Sequence, residues 1–95
     1  MQAPGRLSVI LIEGLRGHHP LFDPDEIREA FSVPDHPLNA ADADQVGQAL
    51  LAMAREPAHA ARGAIDALPP LPRSALIRVY FRLLERAAED RRLSH

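Results

Sequence analysis

Leu7-Ser8-Val9-Ile10-Leu11-Ile12-Glu13-Gly14-Leu15 is the stretch on which the fold class turns. Its β-branched density suits a buried strand, whereas Leu7, Ile10, Leu11 and Leu15 fall on one face of a helix. A strand here would find no second strand in the chain and would have to pair with another subunit. Helix is the reading adopted, with a strand over residues 7–12 as its alternative.

Downstream, start and stop signals mark four more helices. Asp23 is an N-cap, Pro24 occupies the first helical position, and Glu26 completes a capping-box arrangement. Ile27, Ala30 and Phe31 are expected to face inward before Pro34 and Pro37 end the element. Asn39 caps a third helix with Asp42 in its first turn, and Ala43, Val46, Ala49, Leu50 and Met53 recur at helical spacing until about Glu56. Pro57 opens a fourth whose inner face is Ala58, Ala61, Ala64, Ile65 and Leu68. Leu68-Pro69-Pro70-Leu71-Pro72 reads as a rigid connector, since three prolines remove donors and fix φ. A final helix runs from about Arg73 to Asp90. The expectation is an all-α fold: one domain over residues 1–95, a compact bundle of about five short helices with proline-rich connections.

Composition narrows the function classes. There is no cysteine, which removes disulfides, thiolate chemistry and zinc ribbons. Three Phe, one Tyr and no Trp leave a core of Leu, Ile, Val and Ala. A net charge of −2 argues against a dedicated nucleic-acid binder. The run 7–12 is too short to span a bilayer and lacks the flanks of a signal peptide, so a cytoplasmic protein is expected. No nucleophilic triad, phosphate-binding glycine loop or isolated carboxylate pair is present, and so short a chain leaves little room for a pocket of ~300 Å³ or more. A non-enzymatic protein without cofactor or metal is expected.

The last helix is the most informative element. At 100° per residue its apolar positions run from Val79 through Leu83, Leu76, Ala87, Tyr80, Leu84, Ile77 and Ala88 to Phe81, an arc of about 200°. A surface helix needs a stripe of only ~100° or somewhat more. Either the helix is central, or its Phe81–Ile77 edge meets another chain. The second reading makes Ile77, Tyr80, Phe81, Leu84 and Ala88 a docking face for a protein partner or a second copy, with a homo-oligomer expected. Arg78, Arg82 and Arg86 line the opposite face at four-residue steps and form its polar rim, partly neutralised by Glu85 and Glu89.

Three smaller constellations complete the reading. The close pair of third and fourth helices invites a helix-turn-helix comparison, with His59, Arg62 and Asp66 on the outer side; a nucleic-acid regulator using this pair or the arginine ridge is the alternative function. His59-Ala60-Ala61-Arg62-Gly63 resembles the His-x-x-Lys-Gly core of histidine phosphotransfer domains, with Arg in place of Lys. That resemblance implies a phosphate-accepting His59, although Pro57 puts this histidine in a first turn and the match covers only a few residues. His18, His19, Asp23 and Asp25 could chemically serve a divalent cation, but adjacent imidazoles diverge and both aspartates are explained by the helix start. The leading expectation is a helical interaction module, a small regulator, adaptor or assembly factor that docks through its last helix.

Overall fold

The computed structural model describes residues 5–34 and 37–93, and the side chains of 9–34 and 37–90. The described residues form five helices: α1 Gly5–Leu15, α2 Pro24–Ser32, α3 Ala40–Arg55, α4 Ala58–Asp66 and α5 Pro70–Leu93. The ambiguous stretch is helical, and Ile10, Leu11 and Leu15 turn their stripe onto the core. The all-α reading therefore holds. Among the described residues no helix is long and apolar enough to cross a membrane.

The predicted caps form as their chemistry requires. Asp23 Oδ1 accepts from the Glu26 N–H at 2.9 Å while Glu26 Oε1 accepts from the Asp23 N–H at 3.0 Å, which closes a reciprocal capping box. Asn39 Oδ1 accepts from the Asp42 N–H at 2.8 Å. At the end of α1 the His18 N–H donates to the Glu13 carbonyl and the Gly17 N–H to the Gly14 carbonyl, with Gly17 at φ +85°. This is a Schellman ending, and the left-handed conformation at Gly17 is one that a Cβ would strain.

The connector before α5 is shorter than expected. Of Leu68-Pro69-Pro70-Leu71-Pro72 only Leu68 and Pro69 lie outside helix, because Pro70 and Pro72 are built into the first turn of α5, where no intrahelical donor is needed. The first helical hydrogen bond runs from the Arg73 N–H to the Pro69 carbonyl, so neither proline forfeits one. Pro72 is buried as part of the core, not displayed as a linker.

One hydrophobic core draws on all five helices, and α5 lies at its centre, packed on α1, α2 and α3, while α3 also carries α4. Leu76, Ile77 and Tyr80 are between 0% and 1% exposed, and no residue of the 200° arc from Val79 to Phe81 is fully exposed. Of the two readings of the surplus apolar surface, the structure selects the central helix. In α2 the inward set is Ala30 and, in part, Ile27, whereas Phe31 is 52% exposed, contrary to expectation. Leu21 and Phe22, which precede the α2 cap, are buried in its place.

Gly14 sets how closely α1 approaches α5. A Cβ at this position would lie 2.7 Å from both Leu84 Cδ2 and the Tyr80 hydroxyl, whereas one at Gly63 meets nothing within 4 Å. Gly14→Val is therefore expected to destabilise the fold by about 1–3 kcal/mol through overpacking. Gly63→Ala, in an exposed helix interior, is expected to stabilise it by about 0.5–1 kcal/mol. Urea denaturation midpoints of the two variants, moving in opposite directions, check the α1–α5 crossing.

Candidate functional site

The chain holds four aromatic residues, and all of them gather at one place. Tyr80 and Phe81 follow each other on α5, Phe22 comes from the α1–α2 turn, and Phe31 from the end of α2. Ring centroids lie 5.0 Å apart for Phe22 and Tyr80, 5.1 Å for Tyr80 and Phe81, and 5.5 Å for Phe31 and Phe81. His19 joins with edge contacts to Tyr80 and Phe81. Such tilted and edge-on pairs match the positive edge of one ring to the negative face of the next. Exposure is graded across the cluster: Tyr80 is fully buried, Phe81 half-buried, and Phe31 open to solvent.

Beside the cluster runs an open groove of about 590 Å³, lined by Gly17, His18, His19, Phe22, Pro24, Ile27, Arg28 and Phe81. Pro24, Ile27 and Arg28 recur at three- and four-residue steps, so one edge of α2 flanks the groove, and Phe31 continues that edge beyond the lining, against Phe81. The Schellman turn of α1 closes one end and carries both histidines. A recess of this size is larger than so short a chain was expected to supply, and it exists because it is shared between two helices and a turn rather than enclosed by them.

Polar geometry at the groove is specific. His19 Nδ1 and the Tyr80 hydroxyl are 2.7 Å apart, and burial together with the neighbouring His18 holds His19 below its ordinary value of 6.5. The imidazole is then neutral at pH 7, and the phenol satisfies its own proton by donating to Nδ1, which leaves the hydrogen on Nε2. Burial pushes the Tyr80 phenol up to about 12. His18 turns away to Glu13 Oε2 at 2.9 Å, so the two imidazoles diverge. Among the described residues no group of three or more metal-ligating side chains is assembled.

The structure redistributes the residues singled out from sequence. Ile77, Tyr80 and Leu84 lie within the chain's own core, so they have no surface to offer a partner; Phe81 and Ala88 are half-buried and retain some. The reason is the central position of α5. Arg78 leaves the expected ridge: its Nε donates to the Ala30 carbonyl at 3.1 Å, Nη2 donates to the Val33 carbonyl, and the guanidinium sits 5.4 Å from the Phe31 ring centroid. It thereby satisfies orphan carbonyls at the end of α2. Arg82 and Arg86 remain exposed in a charged patch with Glu85, Glu89 and Asp90.

Arg62 also turns inward. It grips both carboxylate oxygens of Glu26 at 2.6 Å, donates to the Leu21 carbonyl at 2.7 Å, and reaches Asp66 at 2.8 Å. This bidentate contact holds the Glu26 carboxyl below its ordinary range. His59 is exposed in the first turn of α4, and the cation that a phosphotransfer site would need three residues on is committed to Glu26. His36 and His95 lie outside the described residues.

Sequence reasoning missed His19, Phe22 and Phe31 as a surface site. Phe22 carried a usable signal, since it immediately precedes the capping box at the hydrophobic-staple position opposite Ile27. The His19–Tyr80 bond links residues sixty-one apart and left no local trace.

The buried phenol predicts alkaline behaviour. Its folded value is raised above the unfolded one of 10.0 to about 12, so its contribution to stability is complete below pH 10 and lost as pH rises through 12. With a single tyrosine, tyrosinate absorbance reads Tyr80 alone. Ionisation is expected to lag the free amino acid and to coincide with unfolding, and Tyr80→Phe to flatten the alkaline stability limb.

A comparison with protein-family models, with curated proteins and with solved structures finds no match to the chain in any of the three, so its own geometry carries the functional argument.

Proposed function

We propose that the chain is a non-enzymatic helical interaction module that docks a segment of another protein in the groove between α2 and the α1–α2 turn. The observation that carries this reading is the gathering of every aromatic residue of an aromatic-poor chain at one edge, with Phe31 left 52% exposed. Nothing in the core requires Phe31 to be aromatic or to face solvent. Rigid rings at the rim of a preformed recess are the usual anchors of recognition, because they supply contact area at low entropic cost.

The surface differs from the one expected from the helical wheel, and so does the argument about partners. Self-association rested on surplus apolar surface along α5, and most of that surface is buried within the fold. The partner proposed is therefore a different protein rather than a second copy docked on α5, and the chain is taken to be cytoplasmic. The nucleic-acid alternative draws less support, since Arg62 and Arg78, two of the cations it relied on, are engaged with Glu26 and with backbone carbonyls.

The test is selection of a displayed random-peptide library on the immobilised full chain, repeated on Phe31→Glu. Phe31→Glu gives up edge contacts of only about 1 kcal/mol and keeps Arg78 as a neighbour, so it is expected to stay folded by circular dichroism. Peptides enriched on the native chain should lose most of their affinity for the variant. Selection that returns nothing above background, or peptides indifferent to Phe31→Glu, would overturn the proposal.

A further inference from the structure

Resting on that reading, we infer that the segment taken by the groove is an acidic amphipathic helix, with two apolar side chains a turn apart and a carboxylate at the end nearest His19 and Arg28.

The length of the groove sets the form of the occupant. The α2 edge of the lining runs from Pro24 to Arg28, four residues on and about 6 Å or just over one helical turn, and Phe31 stands a turn beyond it against Phe81. A docked helix spans such an edge with anchors at i and i+3 or i+4, one over Phe22 and Ile27 in the recess and one over Phe81 with Phe31 beside it. Phe22, Pro24, Ile27 and Phe81 supply the apolar lining of the groove.

The polar lining sets the charge. Among the described residues that line the groove, His18, His19 and Arg28 are the ones with polar side chains; all three carry N–H donors, and no side-chain carboxylate is among them. The acids nearby are committed elsewhere: Glu13 to His18, Asp23 to the α2 cap, and Glu26 to Arg62. With Nδ1 turned to Tyr80, the Nε2–H of His19 meets no acceptor among the described residues. Among the described residues Arg28 pairs with Asp25, at 3.0 Å, and both side chains are mostly exposed. An ion pair so solvated contributes little, so Arg28 can exchange that partner for an incoming carboxylate at small cost. A recess whose side chains offer donors and no carboxylate discriminates against lysine-rich segments and in favour of acidic ones.

The experiment uses two labelled peptides of roughly 16 residues, long enough to hold a helix. Both carry leucines at the i, i+4 and i+7 positions of one stripe, one with glutamate and the other with lysine at flanking positions. Fluorescence anisotropy with the full chain is expected to show the glutamate peptide binding about tenfold more tightly than the lysine peptide, a preference that shrinks in high salt. Arg28→Glu is expected to bring the two within about threefold of each other, and Arg28→Gln to fall between. Equal affinities, or preference for the lysine peptide, would overturn the acidic assignment while leaving peptide docking intact. Failure of both peptides, in a chain whose library selection does return Phe31-dependent binders, would overturn the helical form of the occupant. Failure of peptides and library together would remove the underlying reading.

Discussion

Covering α5 is the constraint from which the rest of the structure follows. A helix apolar over more than half its circumference must be wrapped by a chain of 95 residues with few large side chains to spare. The solution is to lay α1, α2 and α3 directly on it and to let α3 carry α4. Gly14 brings α1 in close enough to touch Leu84 and Tyr80, and Leu21 and Phe22 fill the space beneath the α1–α2 turn. Burial along this axis supplies the dominant favourable term, since short helices have little stability on their own.

Arginine then closes the ends. Three of the guanidinium groups reach across turns to backbone carbonyls: Arg62 to Leu21, Arg73 to Leu68, and Arg78 to Ala30 and Val33. Short helices have many unsatisfied ends for their length, and a planar fork on a long stem can satisfy two acceptors at once. Lysine could not reproduce the bidentate grip on Glu26. The all-arginine composition, which suggests nothing by itself, is put to structural use at these points.

Local chemistry was the legible part of this fold. The capping box at Asp23 and Glu26, the Asn39 cap, and the break at Glu56-Pro57 each depend on residues within a few positions of one another, and each formed as expected. The width of the α5 arc was equally legible, but what covered it was not, because neighbours are chosen by tertiary packing. Pro70 and Pro72 were misjudged for a similar reason: whether prolines break a helix or begin one depends on where its first turn falls. The arginine ridge was drawn on a wheel that shows where side chains leave the axis, and a guanidinium some six bonds out need not stay there. Phe31 was placed inward by its spacing from Ile27, yet α2 is short and its last turn passes the edge of α5.

Function is confined to what the core leaves over. With Ile77, Tyr80 and Leu84 enclosed, the aromatic edge around Phe31 and Phe81 brings together apolar surface, a preformed recess and the solvent-exposed donor Arg28. The separation of an enclosed α5 face from an open aromatic edge is tested most directly by urea denaturation of Ile77→Asp, followed by far-UV circular dichroism. A carboxylate at a position 1% exposed has no partner there, and the penalty is comparable to the whole stability of a small domain. Loss of the cooperative transition is the predicted result. A variant that keeps the native midpoint and signal would put Ile77 on the surface and contradict the central placement of α5.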